Sequence, residues 1–142
     1  MKTYVSTHLV HQQNGKHLLL RRSGGPYYSG FLSLVAGHVE PGETPSAALV
    51  REAKEEIGVV FTQADLTFRL VIYRRLPDRV YVDYFFAVQK LDREPLIMEP
   101  DKASEIGYFE IADVQDQMVP YVVAALRTQL PYLEFDETGG SM

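Results

Sequence analysis

The sequence predicts an α/β fold built on a mixed β-sheet, and three observations carry that prediction. Strand-length runs rich in leucine, β-branched and aromatic residues recur along the chain, most clearly at 16–22 (KHLLLRR), 66–76 (LTFRLVIYRRL) and 80–90 (VYVDYFFAVQK). A helical stretch, PSAALVREAKEEI, interrupts them at 45–57, and a second amphipathic stretch runs from Val119 to Leu130. Pro77-Asp78 joins the last two long runs through a turn so short that they lie antiparallel.

Composition bounds the function. The chain has 142 residues, 46% of them hydrophobic, which suits a single domain over 1–142 with one core. It has no cysteine, which excludes disulfides and thiolate metal sites and fits a reducing compartment. The N-terminus, MKTYVSTHLVHQQ, lacks the apolar run of a signal peptide, and no stretch is long and apolar enough to span a membrane, so a cytoplasmic protein without a membrane partner is expected. A net charge of −5 disfavours long nucleic acid, whose binding needs many Lys and Arg contacts to phosphate. It leaves room for a small phosphate ester, provided divalent cations bridge it to the protein's carboxylates.

In order along the chain, residues 3–12 read as a strand with Tyr4, Val5, Leu9 and Val10 facing the core; His8 and His11 read as structural or surface residues. Asn14-Gly15 is a hairpin signal. In the strand 16–22, the run Leu18-Leu19-Leu20 implies burial on both faces. Residues 23–30, SGGPYYSG, form a loop whose Tyr27 and Tyr28, with Phe31 beyond, are candidates to stack on a base or to cover the core edge. Arg21 and Arg22 precede this loop; one of them is placed to reach a phosphate, and Arg21 is assigned that role. Residues 31–39 read as short strands. Thr44 is an N-cap with Pro45 at the first helical position, and Gly58 ends the helix. Ser46, Val50, Ala53 and Ile57 share the side expected to face the core. In the strand 80–90, Tyr81, Asp83 and Phe85 share one face and Val82, Tyr84 and Phe86 the other, with either able to line a site. Arg69, Arg74, Arg75 and Arg79 read as a solvated hairpin end. An acidic loop from Leu91 to Ala103 leads to a last strand at 105–110 and a helical turn at 111–116. In the C-terminal helix Val122, Val123, Leu126 and Leu130 point inward, and the tail from about 134 is expected to fray.

The chemistry concentrates between Gly37 and Val59. Glu52, Glu55 and Glu56 stand at i, i+3 and i+4, on one side of a helix, where like charges repel unless a cation gathers them. Oxygen ligands of this kind suit Mg²⁺ or Mn²⁺. The stretch resembles the signature of the Nudix hydrolase family: Gly37, then Glu43, Arg51-Glu52, Ala53, Glu55-Glu56, Gly58 and Val59, with every fixed position filled. Ala36 stands where many relatives carry a further glycine, outside the metal-binding positions.

The resemblance implies a mixed sheet sandwiched between helices, an α/β/α sandwich, and Mg-dependent hydrolysis of a diphosphate linkage in a nucleoside diphosphate joined to another group. By the same resemblance Glu52, Glu55 and Glu56, with the Gly37 carbonyl, hold the metal; Glu43 pairs with Arg51; and a loop carboxylate, assigned to Glu99 with Asp101 as the alternative, completes the site. Glu52 and Glu99 are rival general bases. The leading expectation is a MutT-like nucleoside triphosphate pyrophosphohydrolase, monomeric or homodimeric. The alternatives are an ADP-ribose, sugar-nucleotide, dinucleoside polyphosphate or RNA-cap hydrolase, or a nucleotide-sensing module without catalysis.

Overall fold

The structure, a computed structural model, describes residues 1–139. Its elements run β1 (Lys2–Val10), β2 (Gln12–Gln13), β3 (Lys16–Arg22), β4 (Leu32–Ser33), β5 (Ala36–His38), α1 (Pro45–Ile57), β6 (Leu66–Arg75), β7 (Arg79–Val88), β8 (Ala103–Phe109), α2 (Ile111–Val114), α3 (Pro120–Arg127) and β9 (Tyr132–Asp136). A five-stranded mixed sheet has the order β5-β1-β7-β6-β9, with β1–β7 and β6–β9 parallel and the other pairs antiparallel. A smaller sheet gathers β2, β4 and β8 around β3. The strand expected over 3–12 is therefore two. β1 belongs to the larger sheet, and after His11, whose carbonyl accepts from Leu18 N–H at 2.9 Å, the chain continues in the smaller one.

Two apolar layers flank the sheets. One packs Leu19, Leu32, Ile72, Phe85 and Met118 with Val122 of α3; the other packs Leu18, Leu20, Val35 and Val59 with Leu49, Ala53 and Ile57 of α1. The alternation of Leu18, Leu19 and Leu20 between these layers explains why the whole run is buried. A fully buried Leu or Ile contributes roughly 1.5–3 kcal/mol, so Leu49 and Ile57 fix which side of α1 faces inward. The sandwich of a mixed sheet between helices is present.

Several local expectations are corrected. The buried side of α1 is Ala48, Leu49, Ala53 and Ile57; Ser46 and Val50 are half-buried, and Ser46 donates to Gln63 at 2.8 Å. In α3 the buried residues are Tyr121, Val122 and Ala125, and the helix stops at Arg127, leaving Leu130 60% exposed. Leu9 and Val10 are core, whereas Tyr4 and Val5 are half-buried. The tail expected to fray from about 134 forms β9 instead, because Tyr132–Asp136 pairs in parallel with Val71–Arg75. Its last residues, 140–142, lie outside the described residues.

Candidate active site

The N-terminus of α1 is fixed by Thr44, whose Oγ1 accepts from Ala47 N–H at 3.2 Å, with Pro45 at the first helical position. Gly58 closes the other end at φ 73°, donating its N–H to the Lys54 carbonyl. Two further carbonyls at that end accept from the loop 91–102: Glu56 O from Met98 N–H and Ile57 O from Leu96 N–H, both at 3.0 Å. These bonds lay the loop along the helix end and bring Glu99 toward Glu56.

Arg51 organises the acidic face. Its Nε and Nη2 donate to the two oxygens of Glu43 at 2.7 and 2.9 Å, a planar fork that lysine has no means to copy. The remaining donors reach Glu52 at 2.8 Å, Glu55 at 3.2 Å and the His38 carbonyl at 3.1 Å. The Arg51 guanidinium, with a bond from the Glu40 backbone N–H, holds the Glu43 carboxyl down at about 2. Arg51 thus ties the loop carrying Glu43 to the strand carrying His38 and to the helix.

Gly37 has a steric reason to be glycine: a Cβ there would run into the Glu52 carboxyl group. Glu52 in turn bonds Glu56. Burial first, then that bond and the charges of Glu52 and Glu99, push the Glu56 carboxyl far above the usual carboxylate range, with Lys102 opposing. That shift favours the protonated form of Glu56, with its proton toward Glu52. Among the described residues no three acidic or histidine side chains stand as a ready-made cage for a metal. The carboxyl pair beside the half-buried Gly37 backbone nevertheless fits a hard divalent cation, which would take the place of the shared proton. Glu55 is turned away; it lies 48% exposed against Arg51 and does not line the cavity. Glu99 keeps its carboxylate 3.7 Å from Lys102 Nζ.

Two cavities meet here. An acidic one of about 480 Å³ is lined by Glu52, Glu56, Asp101, Lys102 and the glycine pair Gly24-Gly25. An aromatic one of about 250 Å³ is lined by Ser6, His8, Tyr27, Arg74, Tyr81 and Tyr121. Arg22, Ala36, Gly37 and His38 border both, so the two form one bipartite cleft.

Not every expected contact is in this cleft. Arg21 is outside it, spending its donors on Glu105 at 2.6 Å, the Gly30 carbonyl at 2.9 Å and Gln117 at 3.2 Å. Arg22 takes its place at the junction, donating through Nε to the Tyr27 carbonyl at 3.1 Å. Tyr27 reaches the aromatic cavity, whereas Tyr28 and Phe31 stack edge-on beside it and cover the core. The face of β7 that lines the cleft is the one with Tyr81 and Asp83. Arg74, expected in solvent, is 3% exposed and forks onto the fully buried Asp83 at 2.7 and 3.2 Å. It also donates to the Tyr27 hydroxyl at 2.9 Å and to Glu137 at 3.0 Å, and lies over the Tyr121 ring at 3.9 Å. The signal for this pair was a lone aspartate in the aromatic strand VYVDYFF, a charge that needs a partner once buried.

The family model of the NUDIX domain matches residues 1–130. Among curated proteins, the chain is 30% identical over 94 residues to the 8-oxo-dGTP diphosphatase of Escherichia coli K12, covering 66% of this chain and 71% of that one. The protein of the same name from Proteus vulgaris is 29% identical over 107 residues, 75% and 92% of the two chains. Among solved structures, a MutT NUDIX hydrolase from Burkholderia pseudomallei superposes with a TM-score of 0.80 at 23% identity, over 89% and 97% of the two chains. The E. coli ORF135 protein gives 0.74 at 22%, over 89% and 87%.

Proposed function

The chain belongs to the Nudix hydrolase family, an enzyme family acting on phosphorus-containing anhydrides, and on that premise we propose that it is a Mg²⁺-dependent pyrophosphohydrolase of nucleoside triphosphates, releasing nucleoside monophosphate and pyrophosphate. The observation that carries this reading is the bipartite cleft: an acidic half sized for metal-bound phosphates and an aromatic, arginine-bearing half for the nucleoside, joined at Arg22. The relatives named 8-oxo-dGTP diphosphatase make 8-oxo-dGTP the first substrate to try.

Glu52 and Glu56 would hold the cation, with the Gly37 carbonyl beside them; Glu55 would join by swinging off Arg51. When bound, Mg²⁺ neutralises phosphate charge and makes a bound water acidic. Glu52 and Glu99 are the two candidates for the general base: Glu52 gives its oxygens to Arg51 and Glu56, and Glu99, near Glu56 and 3.7 Å from Lys102 Nζ, stands outside the lining of the acidic cavity that its alternative Asp101 joins. Arg22 donates to the phosphates passing between the two halves. Arg51 and Glu43 act at one remove, by fixing Glu52.

The test is a hydrolysis panel with Mg²⁺, read by product mass, over canonical and oxidised nucleoside triphosphates, ADP-ribose, sugar nucleotides, dinucleoside polyphosphates and capped RNA. Monophosphate plus pyrophosphate from a triphosphate supports the reading. Cleavage of ADP-ribose or another diphosphate-linked compound alone replaces the substrate, and nucleotide binding without turnover replaces it with a sensing role.

A further inference from the structure

One wall of the aromatic cavity is held by few bonds. Residues 24–29 run between β3 and β4, and among the described residues none of Gly24, Gly25, Tyr27, Tyr28 and Ser29 donates its backbone N–H to a partner. Pro26 has no N–H to donate. The segment is pinned at its two bases: Ser23 N–H bonds the Lys102 carbonyl at 2.9 Å, and Gly30 N–H the Arg22 carbonyl at 2.8 Å. At these pins Gly24, Gly25 and Gly30 take φ of 74°, 73° and 87°, left-handed values that glycine adopts without cost. Tyr28 takes a φ of 47°, which a bulky side chain adopts only under strain. Phe31 N–H bonds its carbonyl at 3.1 Å, and the half-buried rings of Tyr27 and Tyr28 rest on the core. The remaining hold is on Tyr27. Arg22 Nε donates to its carbonyl at 3.1 Å, and its hydroxyl donates to the two Glu137 oxygens at 3.1 and 3.0 Å. Burial pushes that hydroxyl well above its ordinary range, so it stays a donor. Glu137 is a fixed post: its N–H bonds the Arg75 carbonyl at 2.6 Å, and its carboxylate accepts from Arg74 at 3.0 Å. Of residues 24–29, Tyr27 alone lines the aromatic cavity, whose volume of about 250 Å³ is below the roughly 300–1,000 Å³ of most small-molecule pockets.

We propose that residues 24–29 form a gate on the aromatic half of the cleft, hinged at Gly24-Gly25 and Gly30, and that Glu137 is a positioning residue whose carboxylate latches the Tyr27 hydroxyl and holds the gate shut. Opening lifts Tyr27 off the cavity, makes room for an entering ring and relaxes Tyr28. Closing returns the Tyr27 ring to its place between two cations, the guanidinium carbons of Arg22 and Arg74, which lie 5.4 and 5.7 Å from its centroid. The inference rests on the proposed function only for the premise that a nucleotide is the ligand that enters.

The experiment is limited chymotrypsin digestion of the folded protein, read by mass as the rate of cleavage after Tyr28. When opening is fast, such a rate reports the open population. It should be indifferent to urea well below the unfolding midpoint, because a local opening exposes little surface. Tyr27→Phe keeps the ring and the Arg74–Glu137 pair and removes only the latch. It should speed the cleavage about tenfold, the weight of a hydrogen bond to a charged acceptor. If that variant does not fold by circular dichroism, Glu137→Ala carries the same expectation. GMP, AMP and 8-oxo-dGMP are then added singly without metal, and whichever binds by calorimetry should slow the cleavage at saturation. A rate that climbs with urea in step with global unfolding, unchanged cleavage in the folded variant, or no slowing by a nucleotide that binds overturns the proposal. Hydrolysis of triphosphates with no latch effect sinks this inference and leaves the proposed function standing. A latch effect without triphosphate hydrolysis does the reverse.

Discussion

Asp83→Ala tests the buried charge cluster most directly. Asp83 is fully buried and accepts from both sides of the Arg74 guanidinium and from Ser6. Its removal leaves that guanidinium, 4% exposed, facing one carboxylate, Glu137, at 3.0 Å. Breaking one side of a buried ion pair costs about 3–5 kcal/mol. Glu137 remains, as do the rings of Tyr121 and Tyr81, whose centroids lie 3.9 and 4.4 Å from the guanidinium carbon. These retained contacts put the expected loss at the lower end, about 3 kcal/mol. For a chain of this size that lowers Tm by roughly 10 °C. The control is the double variant Arg74→Met, Asp83→Leu, which removes both charges and fills the space with apolar side chains; it should regain at least half the loss. The assay is urea unfolding followed by circular dichroism, since the chain has no tryptophan. A loss below about 1 kcal/mol, the range of a solvated pair, would refute the argument, as would a double variant no more stable than Asp83→Ala.

Other outcomes follow from the same geometry. His8 is fully buried with its value held at about 4 against an ordinary 6.5, so between those limits the unfolded chain binds a proton that the folded chain does not. Stability is then fully present above pH 6.5, declines as pH falls toward 4 by roughly 3 kcal/mol in all, and levels off below. His8→Asn should flatten that part of a Tm-against-pH curve, and equal slopes in the two proteins would exclude His8 as the cause. Glu56→Gln should lower kcat at saturating Mg²⁺ by at least about 100-fold. The metal-free variant should melt no lower than the parent at pH 7, because burial already favours the uncharged carboxyl that a neutral amide replaces; near-full turnover would remove Glu56 from the site. Gly37→Ala should push the Glu52 carboxyl aside and cost about 1–3 kcal/mol in unfolding free energy, together with lost activity; an unperturbed Tm would mean that Glu52 has room to spare.

The readable parts of the sequence are those whose causes are local. Thr44, Pro45 and Gly58 set both ends of α1 by capping chemistry, and the helix occupies the expected residues. The pairing of Arg51 with Glu43 was legible because both belong to one continuous motif. What was not legible depends on contacts distant in sequence. YLEFD carries three apolar residues but runs straight into a polar, glycine-rich stretch that reads as a tail, and its pairing is decided by the open edge that β6 offers far away in sequence. Arg74 looks like any arginine near a turn; its burial is decided by Asp83 on the neighbouring strand and Glu137 beyond β9. The choice of Arg22 over Arg21 follows from strand alternation at the end of β3, where one side chain turns to Glu105 of β8 and its neighbour to the cleft.

The carboxylate of Glu137 arrives late. It lies 63 residues after the Arg74 it neutralises and 110 after the Tyr27 hydroxyl it accepts from. On a translating ribosome adding about 5–20 residues per second, Arg74 waits roughly 3–13 seconds for that partner. Once β7 has paired with it, β6 is an open sheet border where β9 will later lie, and an unpaired border is a template for a neighbouring nascent chain. The strand that delivers Glu137 to Arg74 also seals that border, so the neutralisation of the buried guanidinium and the end of vulnerability to misassembly coincide in one step of biosynthesis.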